Sequence, residues 1–381
     1  MYVSKNPISR RMEGIVMAER YQNYVNGAWT DASSGDVSTS TNPANNSDLI
    51  GEFQASTKSD VDTAITAAHD VKESWRRTSS LARGGYLMKA ASYLEANLEE
   101  YAQAVTRESG KAILEARGEV GRAIALLQYY GVEGSNPVGS VVPSVNPNIL
   151  LYTNRMPLGV VSLITPWNFP IAIPIWKMAP ALVYGNTIVL KSASATPYVA
   201  TLIARMWEAV DLPAGVFNLV TGSGGAIGDE LVTNSKVAAI SFTGSTRIGM
   251  NIASLAAQRG KRYQLEMGGK NPVIVLPDAD LEQAAEITVS GAMKYSGQKC
   301  TATSRAIVVG NIMEEFTNLV VEKTNALKIG PGSDPDSIIV PVIDQASKDN
   351  ITAMIARGVA DGGSVLAGGG VPTGSAFDNG T

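Results

Sequence analysis

The amino-acid sequence predicts an α/β fold in which helices cover a parallel β-sheet, followed by a second α/β unit. From residue 160 onward, short apolar segments alternate with helical ones, a pattern typical of parallel strands joined by crossover helices. The predicted strands have the sequences VVSLI, TIVL, VFNLV, AAISF and RYQLE. The helices between them include IAIPIWKMAPALVY and YVATLIARMWEAV. A further strand, helix and strand over residues 271–310 predict the second unit.

Helical segments precede this sheet. The first has apolar residues at every third or fourth position, namely Val61, Ile65, Ala68, Val71 and Trp75. Ser59 and Asp62 have the spacing of a capping box and predict the start of this helix. His69 lies beside the apolar stripe, where we expect a partly buried helix residue. Two more helical segments are predicted around residues 79–105 and 114–131.

A stretch rich in Pro, Ser and Asn, residues 135–148, separates these helices from the sheet and predicts a loop or arm. The segments NILLYTNR and GVVSLIT follow it. We expect two extended segments that either pair with each other or continue into the sheet.

Composition and charge exclude several classes of protein. A chain of 381 residues exceeds the usual size of one core, so two or more packed units are expected. The net charge of −4 disfavours nucleic-acid binding. Cys300 and His69 are the only residues of their types, so we expect neither a disulfide nor a bound metal, and a reducing compartment. No apolar run of about 18 residues indicates a membrane span.

The N-terminal residues 1–18 lack the apolar core of a signal peptide and are interpreted as an extension. Together with the single cysteine, this predicts a cytoplasmic protein that does not contact membranes.

The ends of the predicted strands carry polar or glycine-rich residues. Parallel sheets bind ligands beyond the carboxyl ends of their strands, so these residues are candidates for a site. They are TPWN at 165–168, Lys191, GSGGAIG at 222–228, TGS at 243–245, and Glu266 followed by two glycines.

Each candidate also has an ordinary structural interpretation. Cys300 lies in a polar loop, GQKCTATSR, where it is either a nucleophile or a packing thiol. Glu266 is either a general base or a solvated carboxylate, and Asn168 either an oxyanion donor or a turn residue. Lys191 is a candidate for holding a ribose or phosphate, although solvated lysines are commoner. The glycine run misses the dinucleotide-binding fingerprint by one residue.

Four motifs in order, TPWNFP, FTGST, LEMGGKNP and GQKC, resemble those of the NAD(P)-dependent aldehyde dehydrogenase superfamily, and the likeness runs from about residue 24 onward. The resemblance implies a Rossmann-type cofactor sheet and a second, catalytic α/β domain. It implies that Cys300 attacks an aldehyde, that Asn168 and the Cys300 N–H hold the oxyanion, and that Glu266 activates the water that hydrolyses the thioester.

The resemblance also implies further site residues by motif position. Lys177 corresponds to a lysine near the active site, and Ile173 and Trp176 to the lining of a substrate tunnel. The implied contacts of the cofactor, NADP or NAD, are Thr165, Pro166, Trp167, Lys191, Ser194, Gly224, Gly228, Phe242, Thr243, Gly244, Ser245 and Ile248.

Within the superfamily, the segments around TPWNFP and GQKC are most similar to the 2-oxoglutarate semialdehyde (2,5-dioxovalerate) dehydrogenases. Succinate or glutamate semialdehyde oxidation is the near alternative. Lys299, beside the nucleophile, is a candidate partner for a substrate carboxylate, with an exposed lysine as the ordinary interpretation. Ser194 stands where many members have a glutamate that repels the 2′-phosphate, so we expect NADP use with NAD tolerated.

The family plan implies a homodimer or homotetramer, with a cofactor-binding domain at 19–137 and 158–268, an oligomerisation arm at 138–157 and a catalytic domain at 269–381. The chain ends before the family's EIFGP motif, which predicts an incomplete catalytic domain. A cofactor-binding protein without activity is therefore an alternative. Acyl transfer to coenzyme A is a third, and Glu266 argues against it.

Overall fold

The computed structural model describes residues 18–136, 138–375 and 377–381. All but the last residue of the predicted N-terminal extension lies outside this range. The first part of the described chain combines short strands and four helices. The strands are β1 (Arg20–Tyr21), β2 (Asn23–Val25), β3 (Ala28–Thr30), β4 (Val37–Asn42) and β5 (Asn45–Gln54). The helices are α1 (Lys58–Arg77), α2 (Ser80–Ala96), α3 (Leu98–Ser109) and α4 (Ile113–Glu133).

Helix α1 begins two residues earlier than the predicted capping box. Thr57 is the N-cap, its N–H donates to the Asp60 carboxylate at 2.7 Å, and its hydroxyl accepts from the Asp60 N–H. The Ser59–Asp62 assignment is therefore wrong, because the same spacing of hydroxyl and carboxylate occurs twice in TKSDVD and the earlier pair forms the cap. His69 is half-buried on this helix, as predicted.

The segment predicted as an arm, residues 138–157, contains a β-hairpin. β6 (Val141–Val142) pairs antiparallel with β7 (Leu151–Tyr152), whereas the next strand, β8 (Val160–Ile164), joins the main sheet. The two predicted extended segments, NILLYTNR and GVVSLIT, do not pair with each other. The second contains β8 and continues into the main sheet, which is one of the two predicted outcomes. Both strands of the hairpin expose their apolar side chains.

The main sheet has seven strands in the order β12-β11-β8-β9-β10-β2-β3. Neighbouring strands from β12 to β10 are parallel, as the sequence predicts, and β2 and β3 extend the sheet antiparallel. Its remaining strands are β9 (Thr187–Lys191), β10 (Phe217–Val220), β11 (Val237–Gly244) and β12 (Arg262–Met267). The connecting helices are α5 (Ala172–Val183), α6 (Pro197–Ala209), α7 (Gly224–Thr233) and α8 (Thr246–Ala257).

Two cores pack against the two faces of this sheet. On one face Leu163, Ile188 and Leu190 contact the buried sides of α2 to α6. On the other, Val160 and Val189 pack with α1, α7 and α8. Burial on both faces explains why the central strands are apolar runs without alternation.

The second unit contains a parallel pair, β13 (Asn271–Val275) and β14 (Thr303–Val308). Its helices are α9 (Leu281–Met293), α10 (Met313–Asn325) and α11 (Gln345–Ala360). Val275, Ala285 and Phe316 form its core. The division into domains at the predicted boundaries stays a prediction. Within the described ranges, no helix is both long and apolar enough to cross a bilayer.

Candidate active site

The parallel strands bring the predicted site residues at their carboxyl ends to one edge of the sheet. Ile164 at the end of β8 pairs with Lys191 on β9 and with Phe242 on β11. On the other side of β11, Thr243 pairs with Glu266 of β12. Residues that are far apart in the chain therefore leave the sheet side by side, and the loop 165–168 begins between them.

Cys300 is exposed in the loop between α9 and β14. Tyr295, Ser296 and Gly297, just before it, all have positive φ angles, of 56°, 52° and 72°. Such backbone is costly for residues other than glycine, by roughly 1–3 kcal/mol each, and persists only where the surroundings hold it. Here Tyr295 is fully buried, and the Ser296 hydroxyl accepts from the Val340 N–H at 2.9 Å.

Hydrogen bonds from Asn271 also hold the backbone of the loop at Cys300 itself. The Asn271 side-chain amide donates to the Cys300 carbonyl at 2.8 Å and to the Ala302 carbonyl at 3.0 Å. Among the described residues the Cys300 N–H has no hydrogen-bond partner, so it remains available to an incoming oxygen. The structure thus presents an exposed thiol on a rigidly held turn.

Asn168 contacts the Cys300 segment directly. Its side-chain Nδ2 donates to the Gln298 carbonyl at 2.9 Å, across 130 residues of sequence. An amide nitrogen carries two hydrogens, so one is used on Gln298 and the second can donate elsewhere. Asn168 is therefore a contact between the loop after β8 and the segment before Cys300, rather than only a turn residue.

Glu266 is exposed at the end of β12 and accepts a hydrogen bond from Gln264 Nε2 at 2.7 Å. Gln264 also accepts from Lys177 Nζ at 3.1 Å, and Lys177 donates further to the Ser241 hydroxyl and the Phe242 carbonyl. Burial lowers the pKa of Lys177 to about 8, and the charge of Glu266 acts in the opposite direction. Lys177, Gln264 and Glu266 thus form one polar cluster beside the sheet edge.

Several of the residues predicted to hold a dinucleotide lie beside open space or carry polar groups at the edge of the sheet. A Cβ built on Gly224 or Gly228 would meet nothing within 4 Å, so the start of α7 is open to a ligand. The hydroxyl of Thr165 is buried without a partner among the described residues. Lys191 is only 6% exposed, its Nζ donates to the Ser192 carbonyl at 2.7 Å, and burial lowers its pKa to about 8.

A second helix N-terminus lies at the end of the neighbouring strand. Ser245 is the N-cap of α8 and accepts from the Ile248 N–H. The unpaired N–H groups at a helix start attract phosphate oxygens. Thr243 and Gly244 lie just before this cap, and a Cβ on Gly244 would come within 2.5 Å of the Phe242 ring. Ser194 is exposed and donates to the Gly222 carbonyl at 3.1 Å, beside the glycine run.

The remaining predicted residues are placed as follows. Trp167 packs with Tyr295 edge to face, at 6.4 Å between ring centroids, and Pro166 is half-buried beside it. Ile173 is half-buried, whereas Trp176 is 53% exposed. The tunnel that these two are predicted to line stays a prediction.

Lys299 does not present a free ammonium. It forms an ion pair with Glu115 of α4, and both side chains are largely buried, at 18% and 24% exposure. The contact gives no support to a pairing of Lys299 with substrate, which also stays a prediction. Glu115 was not singled out from the sequence, since it lies 184 residues away and matches no motif.

Comparison with known proteins identifies the family of this chain. A model of the Aldehyde dehydrogenase family matches residues 29–381. The chain belongs to the aldehyde dehydrogenase family. The resemblance read from the motifs, the α/β fold and the enzyme class, an NAD(P)-dependent aldehyde dehydrogenase, are confirmed.

Individual relatives align over almost the whole chain. The alpha-ketoglutaric semialdehyde dehydrogenase of Bacillus subtilis (strain 168) is 48% identical over 94% of this chain and 73% of its own length. The 2,5-dioxopentanoate dehydrogenase of Saccharolobus solfataricus is 38% identical over 90% of this chain and 72% of its own.

Solved structures agree with the fold of this aldehyde dehydrogenase. A 3,6-anhydro-L-galactose dehydrogenase in complex with NADP superimposes with a TM-score of 0.92 at 35% identity, covering 95% of this chain and 76% of its own. Betaine aldehyde dehydrogenase from Staphylococcus aureus in complex with NAD+ also gives 0.92, at 30% identity, covering 94% of this chain and 72% of its own.

Proposed function

We propose that this aldehyde dehydrogenase oxidises 2-oxoglutarate semialdehyde to the dicarboxylate, with NADP or NAD as hydride acceptor. The observation that carries the proposal is the hydrogen bond from Asn168 to the Gln298 carbonyl, which joins a candidate oxyanion donor to the segment of the candidate nucleophile. The substrate is supported by relatives whose names specify alpha-ketoglutarate semialdehyde or 2,5-dioxopentanoate, at 48%, 40% and 38% identity.

In this proposal Cys300 forms the covalent intermediate. Its thiolate attacks the aldehyde carbon, and the negative charge that develops on oxygen accepts hydrogen bonds from the second Asn168 N–H and from the Cys300 N–H. A pre-positioned donor of this kind contributes roughly 3–4 kcal/mol to the transition state. A bound nicotinamide supplies the hydride acceptor. Glu266 takes a proton from the water that attacks the resulting thioester, which releases the carboxylate and restores the thiol.

The chain's own residues also favour one cofactor. Residue 194 is a serine, so it places no carboxylate beside Gly222. Its hydroxyl donates to the Gly222 carbonyl. A 2′-phosphate placed there meets no like charge from residue 194. We therefore propose that NADP is used and NAD tolerated, with the open start of α7 and the buried Lys191 as the binding groups.

Assembly and location are proposed at the level of the family plan. The hairpin formed by β6 and β7 exposes Val141, Leu151 and Tyr152, by 73%, 42% and 68%, as an oligomerisation arm does. A homodimer or homotetramer in the cytoplasm is the proposal. Size-exclusion chromatography with light scattering measures the assembly.

Turnover of a panel of aldehydes tests the function. The purified chain is incubated with 2-oxoglutarate, succinate, glutarate or glutamate semialdehyde and with NADP or NAD, and the reduced nicotinamide is followed by absorbance. We expect the largest kcat/KM for 2-oxoglutarate semialdehyde with NADP, and loss of turnover in Cys300→Ala. A larger kcat/KM for another semialdehyde would contradict the substrate.

Two other outcomes identify the alternatives. Binding of NADP without oxidation of any aldehyde would indicate the cofactor-binding protein. Product release that requires coenzyme A would indicate the acyl transferase. Equal or better turnover with NAD than with NADP would contradict the cofactor preference alone.

A further inference from the structure

A buried ion pair that the proposed chemistry does not use lies behind the site. Lys111, in the loop before α4, pairs with Glu119 on α4, and their side chains are only 1% and 0% exposed. Removing two charges from water is costly, and an apolar pair of similar volume is often at least as stable. A contribution to stability therefore does not by itself account for this buried pair. Its other contacts lie in the candidate active site.

Lys111 contacts both loops of the candidate active site. Its Nζ donates to the Asn168 carbonyl at 2.6 Å. The same ammonium lies 4.0 Å from the ring centroid of Phe169 and 4.6 Å from that of Tyr295. Tyr295 belongs to the left-handed turn before Cys300, and its hydroxyl donates to the Ser109 carbonyl at 3.2 Å. One ammonium thus touches the donor loop and the nucleophile loop.

Glu119 holds the other end of the donor loop. Its Oε1 accepts from the Ile171 N–H at 2.9 Å and from the Ala172 N–H at 3.0 Å, at the start of α5. The segment from Asn168 to Ala172 is therefore bound at its first carbonyl by Lys111 and at its last N–H groups by Glu119. The position of the Asn168 backbone, and with it the reach of its amide, depends on the pair.

We propose that Lys111 and Glu119 are positioning residues that hold the Asn168 amide against the Cys300 segment and so place the oxyanion donor. The inference rests on the proposed aldehyde oxidation and deepens it. Neither side chain touches the reacting atoms. Their contribution is geometric, and a displacement of about 1 Å at such a donor reduces the rate by roughly a hundredfold.

Two covalent reactions of Cys300 separate placement of the donor from reactivity of the thiol. With p-nitrophenyl acetate, the thiolate attacks the ester carbonyl, an oxyanion forms, the acetyl group is transferred to sulfur and p-nitrophenolate leaves. With iodoacetamide, the thiolate displaces iodide and no oxyanion forms. The first rate depends on the donor and the thiolate, whereas the second depends on the thiolate alone.

Glu119→Gln is the direct test. We expect its acylation rate to fall about tenfold to a hundredfold while its alkylation rate stays within about twofold of the wild type, because only the donor is displaced. Since a lone buried charge can unfold the protein, the double variant Lys111→Met/Glu119→Leu removes both charges together, a change that proteins often tolerate. Thermal unfolding followed by circular dichroism establishes which variants are native. When Asn168→Ala is added to either variant, the acylation rate should fall by a smaller factor than when Asn168→Ala is made in the wild type.

Glu99→Gln is the matched control. It breaks the exposed ion pair with Arg117, which lies on α4 between Glu115 and Glu119, at 2.8 Å. We expect wild-type rates for both reactions. An acylation-to-alkylation ratio equal to that of the wild type in a native Lys111 or Glu119 variant would overturn the proposal. Wild-type protein that is acylated on Cys300 but oxidises no aldehyde would contradict the proposed function and leave this test intact.

Discussion

Asn168 donates one N–H to the Gln298 carbonyl, and we propose that its second N–H donates to the developing oxyanion. Asn168→Ala should therefore lower kcat for aldehyde oxidation by about 10²–10³-fold, the loss typical of one oxyanion donor. The alkylation rate of Cys300 by iodoacetamide should change little, since that reaction forms no oxyanion. A kcat near that of the wild type would contradict the role of Asn168 as an oxyanion donor and leave it with the contact to Gln298 alone.

Ser194 sets the second residue-scale prediction. Ser194→Glu places a carboxylate beside the Gly222 carbonyl, which Ser194 now contacts. A like charge about 4 Å from a phosphate costs roughly 1–4 kcal/mol, so KM for NADP should rise about tenfold or more while KM for NAD changes less. Steady-state kinetics with both cofactors measures the switch. Ser194→Gln has a similar size without the charge and should keep the wild-type preference.

Lys191 predicts a pH dependence of stability. Burial lowers its pKa to about 8 in the folded protein from 10.5, so between these values the unfolded chain binds more protons. The cost of burying the ammonium is present in full below pH 8 and is relieved as the pH rises toward 10.5. Wild type should gain stability relative to Lys191→Met over this window, by at most about 1.4 kcal/mol per pH unit. Urea unfolding at pH 7, 8.5 and 10 measures the difference, and a constant difference would contradict it.

At the scale of elements, the sequence predicted the parallel strands well because they are buried on both faces and read as continuous apolar runs. It did not predict β2 and β3, which extend the sheet antiparallel and are too short to show a pattern. The predicted helix at 79–105 is divided at Asn97, which ends α2 and begins α3. The left-handed turn at Tyr295 and Ser296 was also not predicted. Glycine is the residue whose presence commonly indicates a positive φ, and neither position is glycine.

The contact of α2 with α4 carries a prediction about stability. Gly84 lies against the backbone of Gly131, and a Cβ on it would come within 2.3 Å of the Gly131 carbonyl oxygen. Gly84→Ala should push the helices apart and destabilise the protein by about 1–3 kcal/mol. Gly85→Ala is the control: a Cβ there meets nothing within 4 Å, and the change should stabilise the helix by roughly 0.5–1 kcal/mol. Denaturant unfolding of both variants measures the contrast, and equal effects would contradict it.

At the scale of the whole molecule, the site is assembled by contacts between remote parts of the chain. Asn168 reaches Gln298 across 130 residues, Lys299 reaches Glu115 across 184 and Tyr295 reaches Ser109 across 186. The motifs identified Cys300, Glu266 and Asn168 as candidates because each lies in a short characteristic segment. Lys111, Glu115 and Glu119 carry no such local signal. Their contacts with the active-site loops are formed only in the folded chain.

The groups proposed to bind the cofactor and the proposed nucleophile lie on different parts of the fold, so we expect cofactor binding not to require the thiol. The groups proposed to hold NADP lie on the sheet edge and at the starts of α7 and α8, whereas Cys300 lies on the loop before β14. NADP at about 100 times its Kd should stabilise the folded protein by about 2.7 kcal/mol, and equally in Cys300→Ala, although that variant oxidises no aldehyde. Thermal unfolding with and without NADP measures both. Loss of the stabilisation in Cys300→Ala would mean that the thiol segment takes part in holding the cofactor, and no stabilisation of the wild type would contradict the proposed binding groups.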